Sequence, residues 1–121
     1  MRILLIHSDF IEFEAKEKAI KSAETSEKKK QRIDDCLVVF TSTEKDDTVN
    51  IAQKTAEEIS NVADQLKAKR IVVYPFVHLS SMPGSPDMAL KIISSIESEL
   101  KQKKYEVHHA PFGWYKAFDI K

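Results

Sequence analysis

Residues 71–81 read Ile-Val-Val-Tyr-Pro-Phe-Val-His-Leu-Ser-Ser, and this stretch decides how the rest of the chain is arranged. Ile71 to Tyr74 is apolar, rich in β-branched side chains and preceded by charged residues, which reads as a buried strand. Pro75 has no N–H to give to a ladder, so the strand is expected to end near Tyr74. An irregular passage follows, holding His78, Ser80, Ser81, Pro83 and Gly84 ahead of a helical pattern. Polar groups at a strand's exit, ahead of a helix, are where open α/β architectures place their chemistry. Residues 110–120, Ala-Pro-Phe-Gly-Trp-Tyr-Lys-Ala-Phe-Asp-Ile, have the same apolar-aromatic character with one interrupting cation, Lys116. The two stretches are expected to meet.

Outward from residue 81, Ser85 is placed as an N-cap, with Pro86 at the first helical position and Asp87 favouring the positive end of the dipole. Met88, Ala89, Ile92, Ile93, Ile96 and Leu100 form the buried stripe of that helix, which ends in Lys101, Lys103 and Lys104. Upstream, Asn50 opens another helix, with Gln53 as the second half of a capping box. Ile51, Thr55, Ile59, Val62, Ala63 and Leu66 line its inner face, while Lys54, Glu57, Glu58 and Asp64 point away. Cys36 to Thr43 reads as a strand, as do Tyr105 to His109 and Gly113 to Ile120. Arg2 to Ser8 is apolar through its middle and reads as a strand covered on both faces. Phe10 to Lys18 alternates strictly and reads as a half-buried strand, antiparallel to the first through a turn near Ser8 and Asp9. From Lys18 to Asp35, with Lys28, Lys29 and Lys30 in a row, the chain reads as a solvated loop or short helical excursion. The expected fold is α/β, in the order β-β-β-α-β-α-β-β: a mixed, mostly antiparallel, barrel-like sheet with two helices.

With 121 residues, 42% hydrophobic and 31% charged, the chain is expected to be one soluble domain with one core. No apolar run is long enough to span a membrane, and the expected location is the cytoplasm. A single cysteine, Cys36, cannot form an internal disulfide and sits inside a predicted strand, where it reads as a small core residue. Nineteen basic and nineteen acidic residues leave no net charge, so any RNA substrate must owe most of its affinity to something other than this domain. Two glycines are too few for a dinucleotide fingerprint or a P-loop.

His7, Ser8 and Asp9 hold the residue types of a hydrolytic triad, but adjacent strand residues face opposite ways and cannot converge. The four histidines lack the spacing of a zinc site, and neither a metal nor another cofactor is expected. Lys116 shares a strand face with Trp114 and Phe118, while Tyr115, Ala117 and Asp119 take the other. It is either an edge lysine that snorkels to water or an ammonium in a cleft, able to hold a water or offset charge on a carbonyl oxygen. His78 is either a loop histidine bonded to a backbone carbonyl or a substrate contact.

The segments MRILLIHSDFIEFE, YPFVHLSS and HAPFGWYKAFDIK resemble the amino-terminal editing domain of archaeal threonyl-tRNA synthetase, a relative of the D-aminoacyl-tRNA deacylases. The resemblance runs the length of the chain apart from the charged segment after Lys18. It implies a barrel-like sheet with two helices, paired as a homodimer, that hydrolyses L-serine wrongly esterified to threonine tRNA. It implies Lys116 and His78 as the key residues, with Pro75, Val77, Phe112 and Tyr115 lining the pocket. Thr43 stands on the same wall, where the family carries an apolar β-branched residue. The implied partners are the 3′ end of the aminoacylated tRNA and the remainder of the synthetase. The family has a further segment with a glutamate near the pocket beyond the position of Lys121, so residues 1–121 are expected to be an excised domain. The runner-up readings are a D-aminoacyl-tRNA deacylase of the same fold and a non-catalytic module that docks through the aromatic strand Trp114 to Phe118.

Overall fold

The apolar run at residues 71–74 lies inside strand β3 (Arg70–Pro75), the second strand from one edge of a five-stranded sheet, in a computed structural model that describes residues 1–121. The other elements are β1 (Arg2–Lys18), β2 (Gln31–Ser42), helix α1 (Ile51–Leu66), helix α2 (Pro86–Gln102), β4 (Glu106–His109) and β5 (Trp114–Ile120). The strand order is β4-β3-β2-β1-β5. β3 pairs parallel with both β2 and β4, because α1 and α2 are the crossovers that bring the chain back to the same end of the sheet. β1 pairs antiparallel with β2 and with β5. The sheet is therefore mixed, with two parallel and two antiparallel ladders. No ladder joins β4 to β5, so it does not close on itself.

Side-chain alternation divides the buried residues between the two faces of the sheet. Leu37 and Val39 of β2 and Ile71 and Val73 of β3 meet Ile59 and Ala63 of α1 and Ile92, Ile96 and Leu100 of α2. Each large side chain so buried contributes about 1.5–3 kcal/mol. Val38, Phe40, Val72 and Tyr74 point the other way, toward Ile11 and Phe13 of β1. That second face carries no helix. It is covered because the sheet curls: Phe118 of β5 lies 5.5 Å, ring to ring, from both Phe40 and Tyr74, although β1 separates β5 from the strand of Phe40 and both β1 and β2 separate it from that of Tyr74.

Several local expectations need correction. Residues 2–18 form one strand of 17 residues, so no turn exists at Ser8 and Asp9, and the order is β-β-α-β-α-β-β. The change from a continuous apolar run to strict alternation marks a change of neighbours: Arg2–Phe13 pairs with β2, and Ile11–Lys18 pairs with β5. The first half is not covered on both faces, since Leu4 is 48% exposed. β2 begins at Gln31 within the segment expected to be loop, and Ile33 is buried. Asn50 is the N-cap of α1 but adopts helical dihedrals and makes no side-chain cap, so the capping box is absent. The first amides of α1 bond instead to the carbonyls of Thr48 and Val49. Leu66, expected inside, is exposed, and β4 starts at Glu106 rather than Tyr105. At α2 the cap follows expectation: Ser85 Oγ accepts the Met88 amide at 3.3 Å, with Pro86 next and Asp87 in the first turn. Neither helix is long and apolar enough to cross a membrane.

Candidate functional site

The parallel strands β2 and β3 end side by side, with Thr41 opposite Pro75. Beyond those ends a cavity of about 450 Å³ opens between the exits of β2 and β3, the start of α2, and β5 with the loop before it. Lys116, His78, Pro75, Val77, Phe112, Tyr115 and Thr43, the residues singled out from the sequence, all line it. Volumes of this size suit a small organic ligand.

Lys116 enters from β5, the strand pairing antiparallel with β1. Its Nζ donates to Pro111 O at 2.9 Å and to Trp114 O at 3.1 Å, and sits 5.2 Å from the centroid of the Tyr74 ring. An ammonium has three N–H groups, so two are spent on backbone carbonyls and one remains. Burial pulls the pKa down from 10.5 to about 8, against an opposing pull from the Glu24 carboxylate. No neighbouring cation is needed for that depression; removal of the charged form from water suffices. Trp114 and Phe118 share the cavity with Lys116 as the alternation predicts, and Tyr115 joins them from the other face at the exposed rim.

His78 sits in a single turn of 3-10 helix, Val77–Leu79, that the chain enters as soon as Pro75 ends the ladder. Its ring meets that of Phe76 edge-on at 5.1 Å. Four bonds fasten this exposed loop to the end of β2. The Phe76 amide donates to Thr41 O at 2.8 Å, Ser42 Oγ to Val77 O at 3.3 Å, Ser80 Oγ to Glu44 at 3.0 Å, and the Gly84 amide to Thr43 O at 3.0 Å. Gly84 allows the approach: a Cβ there would stand 2.9 Å from the Glu44 carbonyl oxygen.

Sequence reasoning missed the segment after β1. Residues 19–26 form a strap across the β4–β5 loop, and Ala19 and Ile20 of this strap line the cavity wall. Gly113 O accepts the amides of Ala19 at 2.8 Å and Ile20 at 3.3 Å. Glu24 accepts the Phe112 amide on Oε1 at 2.8 Å and the Trp114 indole N–H on its carbonyl at 2.7 Å. Ala19, Ile20 and Ala23, apolar residues ahead of the charged run at 27–30, are the signal that this stretch is not wholly solvated. Thr41, Tyr74, Ala89 and Ile93 also line the cavity and were not singled out as site residues.

The Tyr74 ring is packed against Phe13, Phe40, Phe76 and Phe118, and its hydroxyl is buried without a hydrogen-bond partner. An unpaired buried hydroxyl costs about 1–3 kcal/mol. Tyr74→Phe is accordingly expected to raise stability by about 1 kcal/mol in urea denaturation. A loss of stability would show that the hydroxyl is bonded in solution. Cys36 is fully buried, with burial pushing its thiol up to about 11, and behaves as a core residue rather than a nucleophile.

Residues 1–121 match the family described as the archaea-specific editing domain of threonyl-tRNA synthetase. The chain is 54% identical over 125 residues to a threonine–tRNA ligase of Thermococcus sibiricus and 53% identical over 123 residues to that of Methanocaldococcus jannaschii. Each alignment covers 99% of this chain and 20% of the relative, so the chain spans about a fifth of the length of these proteins. Among solved structures the chain is similar to the c-Myc DNA unwinding element binding protein, with a TM-score of 0.75 at 13% identity, covering 100% of this chain and 91% of that one. At that identity the likeness concerns the fold alone.

Proposed function

The chain belongs to the archaea-specific editing domain family of threonyl-tRNA synthetase, and from that premise we propose that its cavity hydrolyses the ester joining L-serine to threonine tRNA. The observation that carries the proposal is the meeting of Lys116 and His78, from distant parts of the chain, in one largely apolar cavity. Serine is threonine less one methyl group, and a site built to bind threonine rejects it by only about 1–3 kcal/mol. A second site that admits serine and excludes the extra methyl removes the error by hydrolysis. Such a sieve needs apolar walls with few polar groups, which Pro75 and Phe112 supply near His78, with Val77 and Tyr115 at the exposed rim.

An ester is already activated, so water can attack its carbonyl without a nucleophilic side chain. The water oxygen bonds to the carbonyl carbon, the bond to the ribose oxygen breaks, and that oxygen leaves with a proton. The remaining N–H of Lys116 serves the carbonyl oxygen as negative charge develops on it, or holds the attacking water. The ribose 2′-hydroxyl of the terminal adenosine assists. With a pKa of about 8, most Lys116 side chains are protonated at neutral pH, which suits the electrostatic role. His78 binds the amino-acid moiety, and the cavity has room for part of the terminal nucleoside. The other domains of the synthetase hold the tRNA body, in keeping with the zero net charge here. The domain works as a homodimer in the cytoplasm. The first half of β1, which has a ladder only on its β2 side and exposes Leu4, offers an edge for pairing with a second copy.

Single-turnover deacylation of L-seryl, L-threonyl and D-aminoacyl esters on threonine tRNA tests the proposal. Hydrolysis confined to the L-seryl ester supports it. Preference for the D-aminoacyl ester would make the domain a chirality checkpoint instead, and a failure to bind or cleave any of them would leave a docking module. His78→Ala is expected to lower the preference for seryl over threonyl esters by roughly tenfold. Unchanged selectivity would remove His78 from amino-acid recognition.

A further inference from the structure

His109, at the end of β4, has a carboxylate on each ring nitrogen: Nδ1 lies 3.0 Å from Glu97 of α2, and Nε2 lies 3.1 Å from Glu24 of the strap. A neutral imidazole carries a lone pair on one nitrogen, which would face one of these carboxylates; only the imidazolium donates to both. Glu97 and Glu24 are the charges that act on the imidazole; Glu97 is also paired with Lys101 of α2 at 3.1 Å, and Glu24 also acts on Lys116 of β5. Through Glu24 the contact continues into the cavity wall. The same carboxylate accepts the Phe112 amide, and the strap backbone reaches both Phe112 and Trp114. Phe112 lies beside Pro111, whose carbonyl holds Lys116 Nζ.

We infer that Glu24 and His109 are positioning residues, forming an ion pair that latches the strap against the β4–β5 loop and so fixes both the cavity wall at Ala19 and Ile20 and the carbonyl that aims Lys116. Neither residue needs to touch the substrate. Burial alone would lower the pKa of His109, but Glu97 and Glu24 outweigh it and hold it above its ordinary 6.5. For a group whose folded pKa is raised, the stabilising contribution is complete below the unfolded value and is lost as pH rises through the folded value. The strap is therefore latched in acid and released as pH climbs past 6.5 and through the raised pKa. This deepens the editing proposal and rests on it only for the consequence to the substrate.

The protein's one tryptophan reports the latch, because Trp114 donates its indole N–H to the strap carbonyl of Glu24. Trp114 emission and acrylamide quenching are followed from pH 5.5 to 9 in the wild type and in His109→Gln, Glu97→Gln and Lys116→Met. In the wild type, emission is expected to shift to the red, with quenching rising, in one transition above pH 6.5. Glu97→Gln should move its midpoint to lower pH, and His109→Gln should abolish it. Lys116→Met should leave it in place, separating it from titration of the lysine. A transition that persists in His109→Gln, or none in the wild type, would overturn the latch. Should His109→Gln fail to fold, the midpoint in Glu97→Gln decides: no shift also overturns it. Because fluorescence needs no substrate, its outcome stands apart from that of the editing assay. If both readings hold, His109→Gln also lowers the seryl over threonyl preference by roughly tenfold.

Discussion

Replacing Lys116 with methionine is expected to cut single-turnover deacylation by roughly 10²–10³-fold, the usual cost of removing one positioned donor from a developing oxyanion. The same substitution is expected to leave the fold intact and to raise its stability at neutral pH. Burial holds the folded pKa at about 8 against an ordinary 10.5. A base whose folded pKa is lowered binds fewer protons folded than unfolded between those values, so stability rises with pH across that window. Below pH 8 the folded protein bears the full cost of a buried charge, roughly 3 kcal/mol at most, offset in part by the bonds to Pro111 O and Trp114 O. Methionine removes that charge. Its stability advantage should shrink as pH goes from 8 to 10.5. The activity profile carries a matching sign: if protonated Lys116 serves the oxyanion, the rate falls as pH rises through about 8. A rate that rises there would make the neutral amine a general base, and near-normal activity in Lys116→Met would remove the lysine from the chemistry.

Gly113→Ala is expected to have the largest structural effect. Gly113 has a φ of 81°, in the left-handed region that costs a residue with a Cβ roughly 1–2 kcal/mol. A Cβ there would also stand 2.8 Å from Ala23 Cα and 2.9 Å from Ile20 Cγ1, so the strap backbone must move, at a further cost of about 1–3 kcal/mol. Chemical denaturation should register a combined loss of roughly 2–5 kcal/mol. Since Ile20 and Lys116 line the same cavity, seryl-ester cleavage should fall with it. Retained stability together with retained cleavage would mean that the strap is free to move without disturbing the site.

The part of the fold set by strong local chemistry was legible. The β-branched run at 71–74, the Pro75 stop, the Ser85-Pro86-Asp87 helix start and the apolar stripe of α2 were each decided by residues adjacent in sequence. The two long site motifs lie at the exits of such elements, and their convergence follows from the parallel pairing of β2 with β3 and the curl that brings β5 over them. What was not legible depends on distant partners. The continuity of β1 through Ser8 and Asp9 is set by β2 and β5 on its two sides, and no local pattern distinguishes that exchange from a turn. The strap was hidden for the same reason: Glu24 looks like one charge among many until His109 and Phe112 arrive beside it. The depressed pKa of Lys116 likewise arises from three-dimensional burial.

β5 contributes Lys116 and pairs with β1, the first strand of this chain, whereas His78 hangs from β3 in the middle. As a nascent chain leaves the ribosome, the helix-covered layer of β2, β3 and α1 can assemble while residues near 116 are still inside the exit tunnel. The ammonium joins the imidazole only when β5 pairs with β1, so the cavity is completed after the scaffold, at the close of translation of this segment.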